Sequence, residues 1–183
     1  MKYLIYFPLL ITSLPLFSQD LDSIRQQLES LDEQNVKLRE SVMPTVKKYG
    51  FGSPQMDSLD VLIREFDSVA LSIVVPILDK HGWLGKSQIG EAANGVLFVT
   101  IQHARDNEIR KRYFPMLKKA AESGESSLSA MATMQDRILI MDGKPQHYGT
   151  QSGMVNGKME MLPVKDPQKL NERRKQVGLQ RME

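Results

Sequence analysis

The sequence predicts an α+β protein with a helical body, a small antiparallel β-sheet of two to three strands near the C-terminus, and a final short helix. Three observations predict this class. Apolar residues recur at helical spacing from residue 21 to about residue 135. The pattern then changes to short apolar runs that lack this spacing. Asn156-Gly157 follows, and Asn-Gly between two short apolar-containing arms is the strongest short signal for a β-hairpin.

Composition limits the kinds of protein that this chain can be. Its 183 residues are 41% apolar and 25% charged, which is typical of a globular domain and argues against a disordered chain. The 24 basic and 22 acidic residues leave a formal net charge of +2, so we expect no nucleic-acid partner. The absence of cysteine excludes disulfides, thiolate metal sites, a cysteine nucleophile and a lipidated N-terminal cysteine.

The N-terminus has the pattern of a secretory signal peptide. Lys2 supplies a positive charge, Tyr3–Ile11 is almost purely apolar, and Ser18 is a small residue before a polar segment. The alternative is a membrane anchor, but the stretch Tyr3–Phe17 is interrupted by prolines and polar residues and is shorter than the roughly 20 residues of a membrane-spanning helix. We therefore expect removal of residues 1–18, a periplasmic or extracellular mature protein, and no stable membrane span.

Residues 19–50 are expected to form an amphipathic N-terminal helix that precedes a single α+β domain at residues 51–183. The apolar residues of this helix alternate at steps of three and four, and Asn35 occupies one position of the resulting heptad seam. Pro44 should end or bend the helix. Two interpretations remain open: the seam packs against the rest of the chain, or it forms a coiled coil that gives weak self-association. The seam consists of Leu21, Ile24, Leu28, Leu31, Asn35, Leu38 and Val42.

Local signals divide the next segment into further helices. Ser53-Pro54 is typical of a helix start, with a serine cap followed by proline at the first helical position. The acidic residues between positions 57 and 67 are expected to form a solvated face of that helix. Val96–Ile101 is apolar on nearly every side, which predicts a central buried helix. Ser126 should cap a short helix that runs to about Gln135.

The segment after this helix is expected to form the sheet. Arg137–Met141 contains four successive apolar residues, which predicts a short strand with both faces covered. Gln146–Gln151 is a candidate second strand. Asn156-Gly157 predicts a hairpin that places Met154 opposite Met159.

The last helix should begin at Asp166-Pro167 and carries two arginines on its apolar side. Leu170 and Val177 define its apolar stripe, and Arg173 and Arg174 lie three and four residues after Leu170 on the same stripe. At least one guanidinium group should therefore point toward the protein body. A desolvated guanidinium needs an anion, so these arginines either form a structural salt bridge or bind an anionic ligand.

Four polar residues in the middle of the chain are candidate functional groups. His103 has helical spacing from the buried segment before it, so it is either a satisfied core residue or a general base at the edge of a pocket. Gln102 lies about 100° further around the helix and can share a site with His103 only by flanking it. Asp136 and Arg137 lie at a predicted junction of helix and strand, where they form an ion pair or orient other groups.

The candidate strand at residues 146–151 is unusually polar. Its two faces alternate without an apolar side, so it is either a solvated edge or the lining of a polar cavity. One face would carry Gln146, Tyr148 and Thr150, and the other His147, Gly149 and Gln151. The three histidines of the chain have no spacing that suggests a metal site, and the chain has no nucleotide-binding or hydrolase motif. We therefore expect no metal and no cofactor.

Residues 75–179 resemble domain of unknown function 6624, a family of bacterial proteins. The family usually has proline where this chain has Leu84, and its first-helix motif is matched only imperfectly by Asp32-Glu33-Gln34 to Arg39. The resemblance implies no activity, but it implies that the polar groups named above belong to a family signature and converge on one site. The matching stretches are His81-Gly82-Trp83, Gln102-His103, Asp136-Arg137, Gly143-Lys144-Pro145-Gln146, Tyr148-Gly149-Thr150-Gln151, Arg173-Arg174 and Gly178-Leu179.

Two hypotheses about function follow from these residues. The first is an exported hydrolase or transferase that acts on an anionic small substrate. The second is a non-catalytic binding or assembly protein in which the signature residues form a structural network. Convergence of His103, Arg173 and Tyr148 in one pocket would favour the enzyme. The roles in that enzyme would be His103 as base, Asp136 as its orienting acid, Arg173 or Arg174 as anion clamp, and Tyr148 and Gln151 as positioning groups.

Overall fold

A computed structural model describes the backbone of residues 14–182 and the side chains of residues 19–182. Most of the predicted signal peptide, residues 1–13, lies outside the described residues, and the predicted cleavage position after Ser18 lies within the first helix. The helices are α1 Leu14–Glu40, α2 Val42–Tyr49, α3 Pro54–His81, α4 Lys86–Ile89, α5 Glu91–His103, α6 Asn107–Glu122, α7 Leu128–Met141 and α8 Leu170–Gln176. The strands are β1 Ser152–Val155 and β2 Lys158–Met161, and a 3-10 turn, Pro167–Lys169, precedes α8.

This architecture confirms the predicted fold class: a helical body, a small antiparallel sheet near the C-terminus and a short final helix. The sheet has two strands. In the part of the chain that the structure describes, no helix combines the length and the apolar character that a membrane crossing requires.

Helix α5 lies at the centre of the helical body, as its apolar composition predicts. Its Leu97 and Ile101 are fully buried, and it contacts α1, α3, α4, α6 and α7. The seam of α1 packs into the same core, because Ile24, Leu28 and Leu31 are all buried there. The first helix therefore packs within its own chain. The other residues of this core include Val74, Leu78, Tyr113, Leu117, Met131 and Met134.

Proline and serine set two of the helix boundaries. Helix α1 ends at Glu40, and the chain bends at Ser41 before α2 begins. An uninterrupted helix would need an N–H at residue 44 to reach the carbonyl group of Glu40, and Pro44 has none. At the start of α3, the hydroxyl group of Ser53 accepts a hydrogen bond from the backbone N–H of Met56 at 3.2 Å, which confirms the predicted cap.

The predicted strand at Arg137–Met141 is wrong, because these residues form the end of α7. The helix begins one residue later than predicted, with Ser127 rather than Ser126 as its cap, and continues to Met141. A short apolar run is compatible with a helix and with a strand, and its periodicity alone does not distinguish them. The helix buries Met134 and leaves Met141 53% exposed, so the apolar run is not covered on both faces.

The predicted strand at Gln146–Gln151 is also wrong, because this segment is an irregular loop. Only Gln146 forms a bridge, to Val164. The hairpin that follows is confirmed: Asn156-Gly157 is the turn, both residues have positive φ (50° and 80°), and Met154 pairs with Met159.

Candidate functional site

The loop at residues 146–151, which we call the signature loop, is held from one side by the carboxylate of Asp136. Asp136 is fully buried. Its oxygens accept the backbone N–H groups of His147 at 2.7 Å and of Tyr148 and Thr150 at 3.0 Å. They also accept the hydroxyl group of Thr150 at 2.9 Å. A carboxylate that takes four donors replaces the strand partners that this loop lacks, and its hydrogen bonds go to the loop rather than to His103.

Two glutamine side chains close the signature loop internally. The buried side-chain amide of Gln146 donates to the carbonyl oxygens of Gln151 at 2.9 Å and Leu162 at 2.7 Å, and it accepts the N–H of Gln151 at 2.8 Å. The side-chain oxygen of Gln151 accepts from Nε of Arg137 at 2.5 Å, and its nitrogen donates to the hydroxyl oxygen of Thr150 at 2.9 Å. These polar groups are satisfied within the protein, so the loop forms a closed network.

Arg173 and Arg174 hold the opposite side of the signature loop. Nε of Arg173 donates to the carbonyl oxygen of His147 at 2.7 Å, and its Nη2 donates to that of Lys165. Nη1 of Arg174 donates to the carbonyl oxygen of Tyr148 at 2.6 Å. Within the described residues neither arginine forms a salt bridge with Asp136 or with another carboxylate. Asp136 therefore binds the N–H groups of the loop while the two arginines bind its carbonyl groups.

His103 belongs to a separate site, a cavity of about 190 Å³ between α3, the end of α5 and the start of α6. We call this the His103 cavity. Neither Tyr148 nor Arg173 lines it, so the structure does not place the predicted catalytic and clamping residues in one pocket. Its lining residues are Arg64, Asp67, Ser68, Leu71, His103, Arg105, Asp106 and Ile109.

Cationic groups surround the imidazole of His103. Burial lowers the pKa of His103 to about 4, and the guanidinium groups of Arg39, Arg137 and Arg110 lower it further in the same direction. The imidazole is therefore neutral at pH 7. In the described part of the chain its ring nitrogens make no hydrogen bond, which leaves them available to a ligand.

An ion pair between α1 and α3 lies beside this cavity, which Asp67 lines. Nη2 of Arg39 lies 2.5 Å from Oδ1 of Asp67, and Nε of Arg39 donates to the side-chain oxygen of Asn35 at 2.8 Å. Burial raises the pKa of Asp67, and Arg39 opposes this effect. The His103 cavity thus contains a neutral imidazole and a partly buried carboxylate whose pKa values are displaced toward each other, as is common at functional sites.

Sequence reasoning missed Arg39 and Asp67 as site residues. Asp67 was expected on a solvated face, but its side chain is only 19% exposed. The sequence signal for Arg39 was the family motif in the first helix. This chain matches that motif imperfectly, and the motif ends at Arg39. No local pattern marked Asp67, because its partner lies 28 residues earlier in the chain.

Arg110 and Arg137 add positive charge beside His103. Arg110 is buried, and its guanidinium donates to the carbonyl oxygens of Gln102 and Ala104 and to the side chain of Asn107. Arg137 donates to the side-chain oxygen of Gln151 in the signature loop, and its charge is one of those that lower the pKa of His103. In the described residues these hydrogen-bond partners are all neutral, and the nearby carboxylate of Asp106 offsets part of the charge of Arg110. The side-chain oxygen of Gln102 is buried and has no hydrogen-bond partner there.

The described residues contain no cluster of three or more His, Asp or Glu side chains arranged to hold a metal ion.

A model of a family of unknown function (DUF6624) matches residues 22–183. The chain belongs to this family. The match covers the first helix as well as the region whose motifs suggested the resemblance, so Arg39 lies within the family domain. No curated protein and no solved structure matches the chain.

Proposed function

We propose that this DUF6624 protein is exported and binds a small anion in the His103 cavity. The observation that carries the proposal is a cavity lined by Arg64, Arg105 and His103, whose ring nitrogens have no hydrogen-bond partner in the described residues. Burial and the nearby charges of Arg39, Arg137 and Arg110 lower the pKa of His103, which keeps its imidazole neutral. Arg110 and Arg137 hydrogen-bond to neutral groups, and Asp106 offsets part of the charge of Arg110, so a bound anion would offset the positive charge that remains near the cavity. Arg105 lines the same cavity and adds a further cation.

Carboxylates of the protein offset only part of this charge. Asp67 is paired with Arg39, and Asp106 accepts the N–H of Glu108 at 2.9 Å as the cap of α6. Both acids line the cavity, and a ligand must avoid them. This mixture favours an anion with a neutral or hydrogen-bonding portion, such as a phosphate ester, over a bare highly charged ion.

Anion binding would also make His103 a better base. The pKa of His103 is low because of burial and neighbouring positive charge, and a bound anion would offset the second cause. A higher pKa brings the imidazole closer to the range in which general bases work near neutral pH. The catalytic form of the proposal is therefore a hydrolase or transferase in which His103 accepts a proton from water or from a hydroxyl group.

A non-catalytic binding protein is the second candidate function. The closed hydrogen-bond network of the signature loop favours it, because Asp136, Arg173 and Arg174 are all engaged with backbone groups. In this candidate the family signature maintains the fold and the cavity only binds. The two candidates share the anion site and differ in whether the bound molecule is converted.

An NMR titration of the histidine side chains tests the anion site. The chain has three histidines, so His81 and His147 are internal controls for His103. A phosphate monoester, phenyl phosphate, at fixed ionic strength should raise the pKa of His103 by about one unit or more and leave the other two histidines unaffected. Arg105→Gln should weaken this response, whereas Arg112→Gln, on the exposed part of α6, should not.

The same titration can also refute the anion site. If phenyl phosphate leaves the pKa of His103 unchanged, or shifts all three histidines alike, the anion site is not present. Once the site is established, a panel of phosphate and carboxylate esters separates the two candidates. Turnover that His103→Gln abolishes identifies the enzyme, and binding without turnover identifies the binding protein.

A further inference from the structure

The β-hairpin presents methionine side chains on one face. Its two strands pair in a fixed register, with Met154 opposite Met159 and Val155 opposite Lys158 next to the turn. Side chains alternate between the two faces of a strand. Met154, Met159 and Met161 therefore share one face, and Val155 and Lys158 lie on the other.

The register also brings two of these methionines close together. In a two-residue hairpin the residues that flank the turn form a hydrogen-bonded pair, so Met154 and Met159 form the next, non-hydrogen-bonded pair. Side chains approach most closely in such pairs, with Cβ atoms about 4.5–5.5 Å apart. Met161 lies two residues further along the same face. Three flexible thioether side chains can therefore reach a common point above the hairpin.

These methionines are exposed rather than packed in the core. Met154 is 59% exposed, Met159 60% and Met161 43%. The sulfur atom of Met161 lies against Gly149 of the signature loop, where an added Cβ atom would be 2.9 Å away. The missing side chain at Gly149 leaves room for this thioether at the base of the hairpin. To join the sulfur atoms of the other two methionines, Met161 must change its rotamer, which its flexible and partly exposed side chain allows.

We propose that Met154, Met159 and Met161 form a binding site for a soft monovalent metal ion of the Cu(I) class. Thioether sulfur is a soft, uncharged ligand, and soft sulfur ligands select Cu(I) over ions that prefer oxygen or nitrogen. Three thioethers on one small surface match a three-coordinate ion. The hairpin fixes their order and spacing, and the long side chains supply the final adjustment. This site is separate from the His103 cavity and does not depend on its function.

The absence of a titrating ligand gives the site a specific signature. Histidine, cysteine and carboxylate ligands must lose a proton to bind a metal, so their affinity falls at low pH. A thioether has no such proton. Affinity for Cu(I) should therefore stay constant between pH 7.5 and pH 5, while any site built on imidazole weakens over this range because the unperturbed pKa of histidine is near 6.5.

The test uses the full chain, kept anaerobic with a reductant, and Cu(I) itself in competition with a chromophoric chelator. Ag(I), a redox-stable ion of the same class, is measured in parallel by native mass spectrometry. We expect one ion per chain. The triple variant M154L/M159L/M161L should lose about 100-fold or more in affinity, and each single variant about tenfold. Leucine keeps the apolar face, so far-UV circular dichroism should be unchanged.

M43L is the matched control, because Met43 is 67% exposed on α2 and away from the hairpin. It should bind like the wild type. Three outcomes would overturn the proposal: no binding at one ion per chain, binding that survives in the triple variant, or an affinity that falls about tenfold or more at pH 5. Retention of Cu(I) at pH 5 together with its loss in the triple variant would establish a thioether site.

Discussion

Substitution of Asp136 by asparagine should destabilise the protein strongly without affecting the His103 cavity. The carboxylate accepts three backbone N–H groups of the signature loop and the hydroxyl group of Thr150. Asparagine has nearly the same shape but only one acceptor oxygen. Its NH2 group would replace one carboxylate oxygen and face N–H or O–H donors of the loop. Two donors then point at each other, and the former attraction becomes repulsion.

The structure sets the size of this effect. The remaining oxygen can keep the N–H groups of His147 and Tyr148, both of which contact Oδ1. The two donors of Thr150, which contact Oδ2, lose their acceptor. Hydrogen bonds to a charged group contribute about 1.5–3 kcal/mol each, so Asp136→Asn should cost about 3–6 kcal/mol. For a domain of this size the melting temperature should fall by about 6–24 °C.

Urea unfolding followed by far-UV circular dichroism measures this loss, and Thr150→Val is the matched control. The valine variant keeps the backbone N–H of Thr150 but removes the hydroxyl group, which donates to Asp136 and accepts from the side-chain nitrogen of Gln151, and it should cost about 1–3 kcal/mol. A loss for Asp136→Asn below about 1 kcal/mol, or no larger than that of Thr150→Val, would refute the proposed role of the carboxylate. The pKa of His103 should not change in Asp136→Asn. A shift would revive the hypothesis that Asp136 orients His103.

Three further predictions concern separate features of the chain. The pKa of His103 is about 4 in the folded protein and 6.5 without the fold, so the unfolded state binds a proton at a higher pH than the folded state does. The free energy of unfolding should therefore fall as the pH drops from about 6.5 to about 4. Urea melts at a series of pH values measure this fall, and His103→Asn should reduce it. Gly149→Ala should cost about 1–3 kcal/mol in thermal unfolding, because φ is +65° and the new Cβ atom would meet the sulfur atom of Met161. The control is Gly95→Ala, which should be neutral or stabilising because Gly95 lies in a regular helix and nothing lies within 4 Å of the new Cβ atom. Export predicts that intact-mass measurement of protein from the periplasm or medium finds a chain that begins at Gln19; a retained Met1 would contradict it.

Local chemistry explains the elements that the sequence predicted correctly. Ser53-Pro54 caps α3 because a serine hydroxyl group and a fixed proline φ act on adjacent residues. Asn156-Gly157 forms the hairpin turn because both residues tolerate positive φ. The central position of α5 follows from a segment that is apolar on nearly every side. None of these features requires knowledge of a distant part of the chain.

The errors occurred where a distant group competes with local preference. The sequence between residues 137 and 141 is compatible with a helix and with a strand, and packing of α7 on α6 and α5 selects the helix. The signature loop looks like a polar strand until Asp136 and the two arginines take up its N–H and carbonyl groups. These partners lie 11 to 26 residues away in the chain.

Some features of the candidate site also follow from local sequence, whereas others depend on contacts between distant residues. The sequence by itself determined the family, the helical body with its C-terminal hairpin, the pairing of Met154 with Met159 and the choice of His103 as a candidate residue. Only the tertiary structure decided that Arg39 meets Asp67, that His103 faces this pair, and that Arg173 and Arg174 bind backbone carbonyl groups instead of forming a pocket with His103. The physical reason is that spacing along a helix shows which way a side chain points, whereas the packing of one helix on another determines which side chain it meets.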